Sequence, residues 1–183
     1  MKNAFIIHGA YGNPNDNWIP WLKKELEACG YIVTVPKFPT PEGQSLNSWL
    51  KVFEKFKGEI NEETIMIGHS IGATFILSLL KQREEPINSV FLVSGFISDL
   101  GKRKFDKINN SFYEKSFNWS NIRKNCFYIF HGENDPYVSM KKAKDLATEL
   151  HLSVIKIKNG GHLNTSSGFT KFDLLLEKIK SNC

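Results

Sequence analysis

A serine held between two glycines is the first candidate for chemistry in this sequence. Residues 68–72 read Gly-His-Ser-Ile-Gly and match the pattern G-x-S-x-G. They follow the apolar run 64–67 and precede a long apolar segment that starts at Ala73. A strand, a sharp turn and a helix in that order expose a serine hydroxyl above the carboxyl end of the strand. We therefore predict Ser70 as a nucleophile, the alternative being a glycine-rich turn that only connects the two elements.

A histidine that could activate Ser70 must come from another loop at the same edge of the sheet, because a serine hydroxyl is a weak nucleophile until a base accepts its proton. Of the five histidines, His162 fits best, since it follows two glycines and lies five residues beyond the apolar run 154–157. A glycine pair allows a tight return that places the ring over the sheet edge. The others have ordinary explanations: support of the site for His69, backbone hydrogen bonding for His8 and His131, and a helix end for His151.

An acidic side chain is expected to orient the imidazole and to stabilise its charged form. Asp135 follows the apolar run 127–130 and gives the chain order Ser, Asp, His. Asp99, just beyond the run 90–93, is the competing candidate, and Glu133 is a weaker one. An ordinary surface or helix-capping role remains the alternative for Asp135.

Acyl transfer also needs hydrogen-bond donors for the oxyanion of a tetrahedral intermediate. The first predicted donor is the backbone N–H of Ile71, directly after the nucleophile. The second should come from the loop after the first apolar run, where Gly9 and Gly12 permit close approach of the backbone. We predict Ala10 as this second donor, with Tyr11 as the next choice.

The elements that must position these residues alternate along the chain. Six short runs rich in β-branched and aromatic residues predict buried strands at 4–7, 32–35, 64–67, 90–93, 127–130 and 154–157. Apolar residues at helical spacing predict helices over 18–26, 46–53, 71–81, 143–150 and 172–179. This alternation favours an α/β fold, a doubly wound and mostly parallel six-stranded sheet. Only 95–125, between the fourth and fifth runs, departs from it; we call these residues the excursion.

The composition of the chain excludes several other classes of protein. The chain has 183 residues, 41% hydrophobic, with a net charge of +5, which fits a single domain over residues 1–183 and excludes a disordered chain. The basic residues are scattered, so we expect neither nucleic acid nor a membrane as a partner. The three cysteines, Cys29, Cys126 and Cys183, form no metal-binding pattern. With no apolar leader at the N-terminus, we expect a cytoplasmic protein.

Taken together, these residues resemble the small serine hydrolase family within the α/β-hydrolases. The resemblance covers nearly the whole chain and rests on His8-Gly9, Trp18 to Leu22, Gly30 to Val33, Pro36 to Pro39, Trp49-Leu50, Gly68 to Ser70, Asn118-Trp119, Asn134 to Pro136, Gly161 to Asn164 and Gly168-Phe169. It implies a compact hydrolase without a cofactor and with Ser70, Asp135 and His162 as its triad. The chain departs from the family pattern at Leu163 and Ser139, beside the triad residues.

The expected activity is hydrolysis of small or short-acyl carboxylic esters through an acyl-enzyme. Because the excursion is too short for a cap domain, we predict a shallow acyl pocket lined by Tyr11, Phe96, Trp119 and Leu163. A thioesterase or a peptidase would use the same triad, and a non-catalytic binding protein could keep the same fold. The sequence contains no phosphate-binding, dinucleotide-binding or metal-ligand motif, so no cofactor is expected. A protein partner is possible but has no support in the sequence.

Overall fold

A six-stranded, fully parallel sheet forms the centre of the computed structural model, which describes residues 1–113 and 117–182. The strands are β1 (Asn3–Ile7), β2 (Ile32–Thr34), β3 (Ile65–His69), β4 (Ser89–Val93), β5 (Phe127–Gly132) and β6 (Val154–Ile157), in the order β2-β1-β3-β4-β5-β6. Each of the six predicted runs forms a strand, and the α/β prediction is confirmed. Parallel pairing throughout places the carboxyl ends of all strands at one edge.

Helices cover both faces of this sheet. They are α1 (Ile19–Ala28), α2 (Leu46–Phe53), α3 (Ile71–Leu80), α4 (Arg103–Asn109), α5 (Trp119–Ile122), α6 (Met140–Glu149) and α7 (Asp173–Lys180). One apolar cluster joins the sheet to α2, α3 and α6, and a second joins the opposite face to α1 and α7. Every residue of α3 is buried, as its apolar sequence predicts for a helix packed at the centre of the molecule.

The two edge strands, β2 and β6, are less buried than the sequence predicts. The four inner strands are buried almost throughout, as predicted. In β2, however, Ile32 is 51% exposed, and none of the four residues of β6 is fully buried. Pairing on one side only leaves the other side of an edge strand open to solvent. The prediction of buried strands at 32–35 and 154–157 was therefore wrong for burial, although correct for conformation.

The excursion folds back onto the domain. It contains α4, α5 and a short 3-10 helix over Asn110–Phe112, while its residues 114–116 lie outside the described part of the chain. Phe112 and Phe117 are buried in the cluster around α3, whereas Phe105 stays half-buried. Phe112 and Phe117 thus attach the excursion to the core, while Phe105 stays near the surface.

Two features bear on the cysteine and membrane expectations. Cys29 and Cys126 are free thiols at exposed positions, and Cys183 lies outside the described residues. None of the helices in the described ranges is long and apolar enough to span a bilayer.

Candidate active site

Ser70 occupies a strained turn between β3 and α3. Its φ is 55° and its ψ is −125°, a conformation that L-residues rarely adopt outside functional sites. Flanking glycines make this turn possible. A Cβ atom on Gly68 would lie 2.7 Å from the backbone of Ala73, and one on Gly72 would lie 2.6 Å from the carbonyl oxygen of Ile7. The strand, turn and helix that the sequence predicts are present, with Ser70 at their junction.

His162 and Asp135 meet in a short hydrogen bond. Nδ1 of His162 donates to Oδ2 of Asp135 at 2.7 Å, and both side chains are almost completely buried. The other carboxylate oxygen accepts the backbone N–H groups of Tyr137 and Val138, at 2.8 and 3.0 Å. This arrangement leaves Nε2 of His162 as the nitrogen that can accept a proton.

The electrostatics of Asp135 favour the charged carboxylate. Burial raises its pKa, but the hydrogen bond and charge of His162 and the two backbone N–H groups lower it by more. The net pKa therefore lies below the ordinary value for an aspartic acid. A carboxylate kept in this form can stabilise a positively charged imidazole beside it.

One cavity of about 330 Å³ is lined by three of the predicted residues, Ser70, His162 and Ala10. Its wall is formed by the loop after β1, the turn at Ser70, the excursion, and the loops after β5 and β6. The lining residues are Gly9, Ala10, Tyr11, Gly12, Asp16, Asn17, His69, Ser70, Leu100, Lys104, Phe105, Asn109, Tyr137, Val138, His162 and Asn164.

The cavity lining differs from the prediction in three of four residues. Tyr11 lines the cavity as expected. Phe96 is fully buried in the core, Leu163 is buried on the opposite face of the sheet, and Trp119 packs against Arg123 instead. Their places are taken by Leu100, Phe105, Tyr137 and Val138.

The loop after β1 lies directly against the turn at Ser70. A Cβ atom on Gly9 would come within 3.0 Å of the Cβ of Ser70. The N–H of Tyr11 donates to Oγ1 of Thr40 at 2.7 Å, which removes it as a donor toward the cavity. Ala10 lines the cavity, and Ile71 begins α3, so its N–H has no partner within that helix. Both positions suit donation to an anion beside Ser70.

A family model described as serine hydrolase matches residues 4–181. The chain belongs to the serine hydrolase family. It is 28% identical to YdeN of Bacillus subtilis over 184 residues, and the aligned region covers 98% of this chain and 95% of YdeN. Its identity to the rat serine hydrolase RBBP9 is 28% over 183 residues, 97% of this chain and 94% of that protein. The crystal structure of the B. subtilis ydeN gene product matches with a TM-score of 0.91 at 27% identity, covering 100% of this chain and 98% of the other.

Within this serine hydrolase, the rejected acid candidates lie elsewhere. The carboxylate of Asp99 is 67% exposed and lies 3.7 Å from the ammonium group of Lys142. Glu133 is exposed. Asp106, and not Asp99, accepts the N–H groups of Leu100 and Lys102 at 2.7 Å. Of the acids weighed, Asp135 is the one that contacts His162.

Hydrogen bonds from several side chains fix the backbone around His162. His69 Nε2 and Ser94 Oγ both donate to the carbonyl oxygen of His162, at 2.9 and 3.2 Å. The N–H of Gly161 donates to Oδ1 of Asn134 at 2.8 Å. The indole N–H of Trp18 donates to the carbonyl oxygen of Leu163 at 2.9 Å.

Among these supporting residues, only His69 was assigned such a role from the sequence. Asn134 stands next to Asp135, which is a weak signal, whereas Ser94 and Trp18 carry no local signal because their partners lie 68 and 145 residues away.

Three other buried histidines are held neutral. Burial lowers the pKa of His69 to about 3, with the nearby His162 acting in the same direction. Burial also lowers the pKa of His8 and of His131. His8 donates from Nδ1 to Gly9 and accepts the N–H of Phe38 at Nε2, as predicted for a histidine bonded to loop backbone. His131 donates from Nε2 to the carbonyl oxygen of Val138.

Proposed function

We propose that this serine hydrolase is a carboxylesterase that acts on small or short-acyl esters through an acyl-enzyme. The observation that carries the proposal is the buried hydrogen bond between His162 and Asp135 at the wall of the cavity that also holds Ser70. In this proposal Ser70 is the nucleophile, His162 the general base and acid, and Asp135 the residue that orients the imidazole.

Acylation begins with attack of Ser70 Oγ on the ester carbonyl carbon. Nε2 of His162 accepts the serine proton, and the buried Asp135 carboxylate stabilises the imidazolium that forms. The carbonyl oxygen becomes an oxyanion, for which the N–H groups of Ile71 and Ala10 are the proposed donors. Collapse of this intermediate breaks the carbon–oxygen bond to the alcohol, and His162 returns the proton to the departing oxygen.

Deacylation repeats the steps with water as the nucleophile. His162 takes a proton from water as it attacks the acyl carbon, and it then protonates Ser70 Oγ as the acid leaves. Thioesters and peptides would follow the same route, so the ester preference is the specific part of the proposal. A small acyl group suits the limited volume of the cavity, because a methylene contributes about 0.8 kcal/mol only where it can be buried.

Labelling with a fluorophosphonate probe tests the proposal. The probe should modify the wild-type protein at Ser70 and fail to modify Ser70→Ala, whereas Ser120→Ala, at an exposed serine of α5, should label normally. Rates on p-nitrophenyl esters should then peak between acetate and butyrate. Absence of labelling in the folded wild type would support the non-catalytic alternative, and a maximum at long acyl chains would contradict the short-acyl preference.

A further inference from the structure

Exposed aromatic rings gather at the cavity. Six large hydrophobic side chains are exposed in the described part of the chain, and the two aromatic ones, Tyr11 and Tyr137, both line the cavity. An aromatic ring that stays exposed to water does not gain the favourable free energy of burial. Two exposed rings at one cavity therefore indicate a surface that binds an apolar ligand.

Half-buried Phe105 joins these two rings into a row that ends at His162. Ring centroids are 6.1 Å apart for Tyr11 and Phe105, 5.6 Å for Phe105 and Tyr137, and 5.0 Å for Tyr137 and His162. Successive rings are nearly perpendicular, with interplanar angles of 87°, 71° and 80°. Edge-to-face packing of this kind extends readily to one more ring, because a ring edge carries positive charge and a ring face negative charge.

The position of His162 in the row indicates which part of an ester it contacts. His162 protonates the departing alcohol oxygen in the proposed mechanism, so the alcohol group must lie beside its imidazole. Tyr137 packs against that imidazole, and Phe105 is the next ring along. In the same mechanism the carbonyl oxygen would instead face the proposed donors Ala10 and Ile71. Tyr137 and Phe105, the two rings nearest to His162 in the row, are therefore placed to contact the alcohol side of the substrate.

We propose that the enzyme prefers esters of aromatic alcohols, and that Phe105 is the residue that determines this preference. The inference rests on the proposed function and adds the class of leaving group to it. A benzyl-type alcohol would pack against the cavity-facing sides of Phe105 and Tyr137 until His162 protonates its oxygen. Hydrolysis then releases the aromatic alcohol and a short carboxylic acid, with water supplying the hydroxyl group of the acid.

The test compares benzyl acetate with cyclohexylmethyl acetate, two esters of similar size that share the acyl group. After each kcat/KM is divided by the rate constant for alkaline hydrolysis of the same ester, the wild type should prefer the benzyl ester roughly three- to tenfold. Phe105→Leu keeps an apolar side chain without a ring and should abolish most of that preference. Phe56→Leu is the matched control, because Phe56 is also half-buried but packs against Phe5 and Phe53, away from the cavity.

Fluorophosphonate labelling and the turnover of ethyl acetate distinguish failure of the aromatic preference from failure of the proposed function. Phe105→Leu should lose more of its rate on benzyl acetate than on ethyl acetate, whereas Phe56→Leu should keep both rates and its fluorophosphonate labelling. Equal normalised rates for the two test esters in an enzyme that hydrolyses ethyl acetate would overturn the aromatic preference alone, as would a preference that survives Phe105→Leu. Loss of labelling and of all ester turnover in the wild type would instead overturn the proposed function.

Discussion

The loops after β1, β3, β5 and β6, here called the strand-end loops, and the excursion, which follows β4, both border the cavity, but they make different contacts there. Around His162, backbone groups are fixed by hydrogen bonds that His69, Ser94 and Trp18 donate and that Asn134 accepts. The excursion contributes instead the ring of Phe105, which contacts Tyr11 and Tyr137 through ring packing. Hydrogen bonds fix distance and direction more tightly than ring contacts do. Substitutions in the strand-end loops should therefore affect the chemical step, and substitutions in the excursion should affect substrate choice.

The largest expected difference between the two regions is the loss of kcat when an aspartate of each is replaced by asparagine. Asp135→Asn keeps the shape of the side chain but favours the wrong tautomer of His162, which lowers turnover by about four orders of magnitude in a serine protease. A comparable loss of kcat is expected here. Asp99→Asn, in the excursion, should leave kcat nearly unchanged, because its exposed carboxylate pairs with Lys142.

Ester turnover of both purified variants, with circular dichroism to confirm folding, measures this difference. A strong loss in Asp99→Asn together with a nearly intact Asp135→Asn would move the acid to the end of β4 and leave Ser70 and His162 in their proposed roles.

The same contrast separates what the sequence predicts from what it does not. The turn at Ser70 is predictable because its requirements are local: an apolar strand, two glycines that let backbones pass, and an apolar helix. The cavity lining is not local. Phe96 and Phe105 are the same residue type in one excursion, yet Phe96 is fully buried and Phe105 lines the cavity. No periodicity distinguishes them, because the outcome depends on how the excursion packs on the finished domain.

The prediction that the edge strands are buried was wrong for a related reason. The runs at 32–35 and 154–157 are rich in β-branched residues, and this composition predicts their conformation correctly; Lys156 is the one charged residue in the six runs and lies at an exposed position. Their exposure depends on the order of strands in the sheet, since β2 and β6 each have one neighbour. Ser94 and Trp18 were likewise missed because their contacts to the loop around His162 exist only after distant segments are brought together.

A single added methyl group should disturb the strand-end loops. Gly132 ends β5, and a Cβ atom there would overlap the carbonyl oxygen of Gly161 and lie 2.9 Å from the carbonyl carbon of Gly160. Both contacts are to backbone, which cannot move aside as a flexible side chain can. Gly132→Ala should therefore lower the free energy of unfolding by at least about 3 kcal/mol, measured by urea denaturation.

Gly58→Ala is the matched control for this substitution, because no atom lies within 4 Å of the added Cβ. It should leave the free energy of unfolding within about 1 kcal/mol of the wild type, with a small gain from the stiffer unfolded chain. A Gly132→Ala protein as stable as Gly58→Ala would show that the loops after β5 and β6 separate more easily than their contacts indicate.

Acid should affect the strand-end loops before the excursion, which contains no histidine. Burial lowers the pKa of His69 from 6.5 to about 3. Above pH 6.5 the ring is neutral in the folded and the unfolded chain, so its neutral form contributes its full stabilisation. As pH falls below 6.5, the unfolded chain binds a proton that the folded chain does not, and this stabilisation is lost progressively toward pH 3. Between pH 7.5 and pH 5 the loss from His69 should be about 2 kcal/mol in the free energy of unfolding.

Urea denaturation at these two pH values, in the wild type and in His69→Gln, isolates this contribution. Glutamine can still donate to the carbonyl oxygen of His162 but does not titrate, so the variant should lose about 2 kcal/mol less than the wild type on acidification. His151→Gln is the control, because His151 is exposed beyond the end of α6 and its replacement should leave the wild-type pH dependence unchanged. Because the readout is the change with pH, a constant loss of packing in His69→Gln does not affect it. Parallel pH profiles for the wild type and His69→Gln would contradict a neutral, buried His69 that joins the turn at Ser70 to the loop around His162.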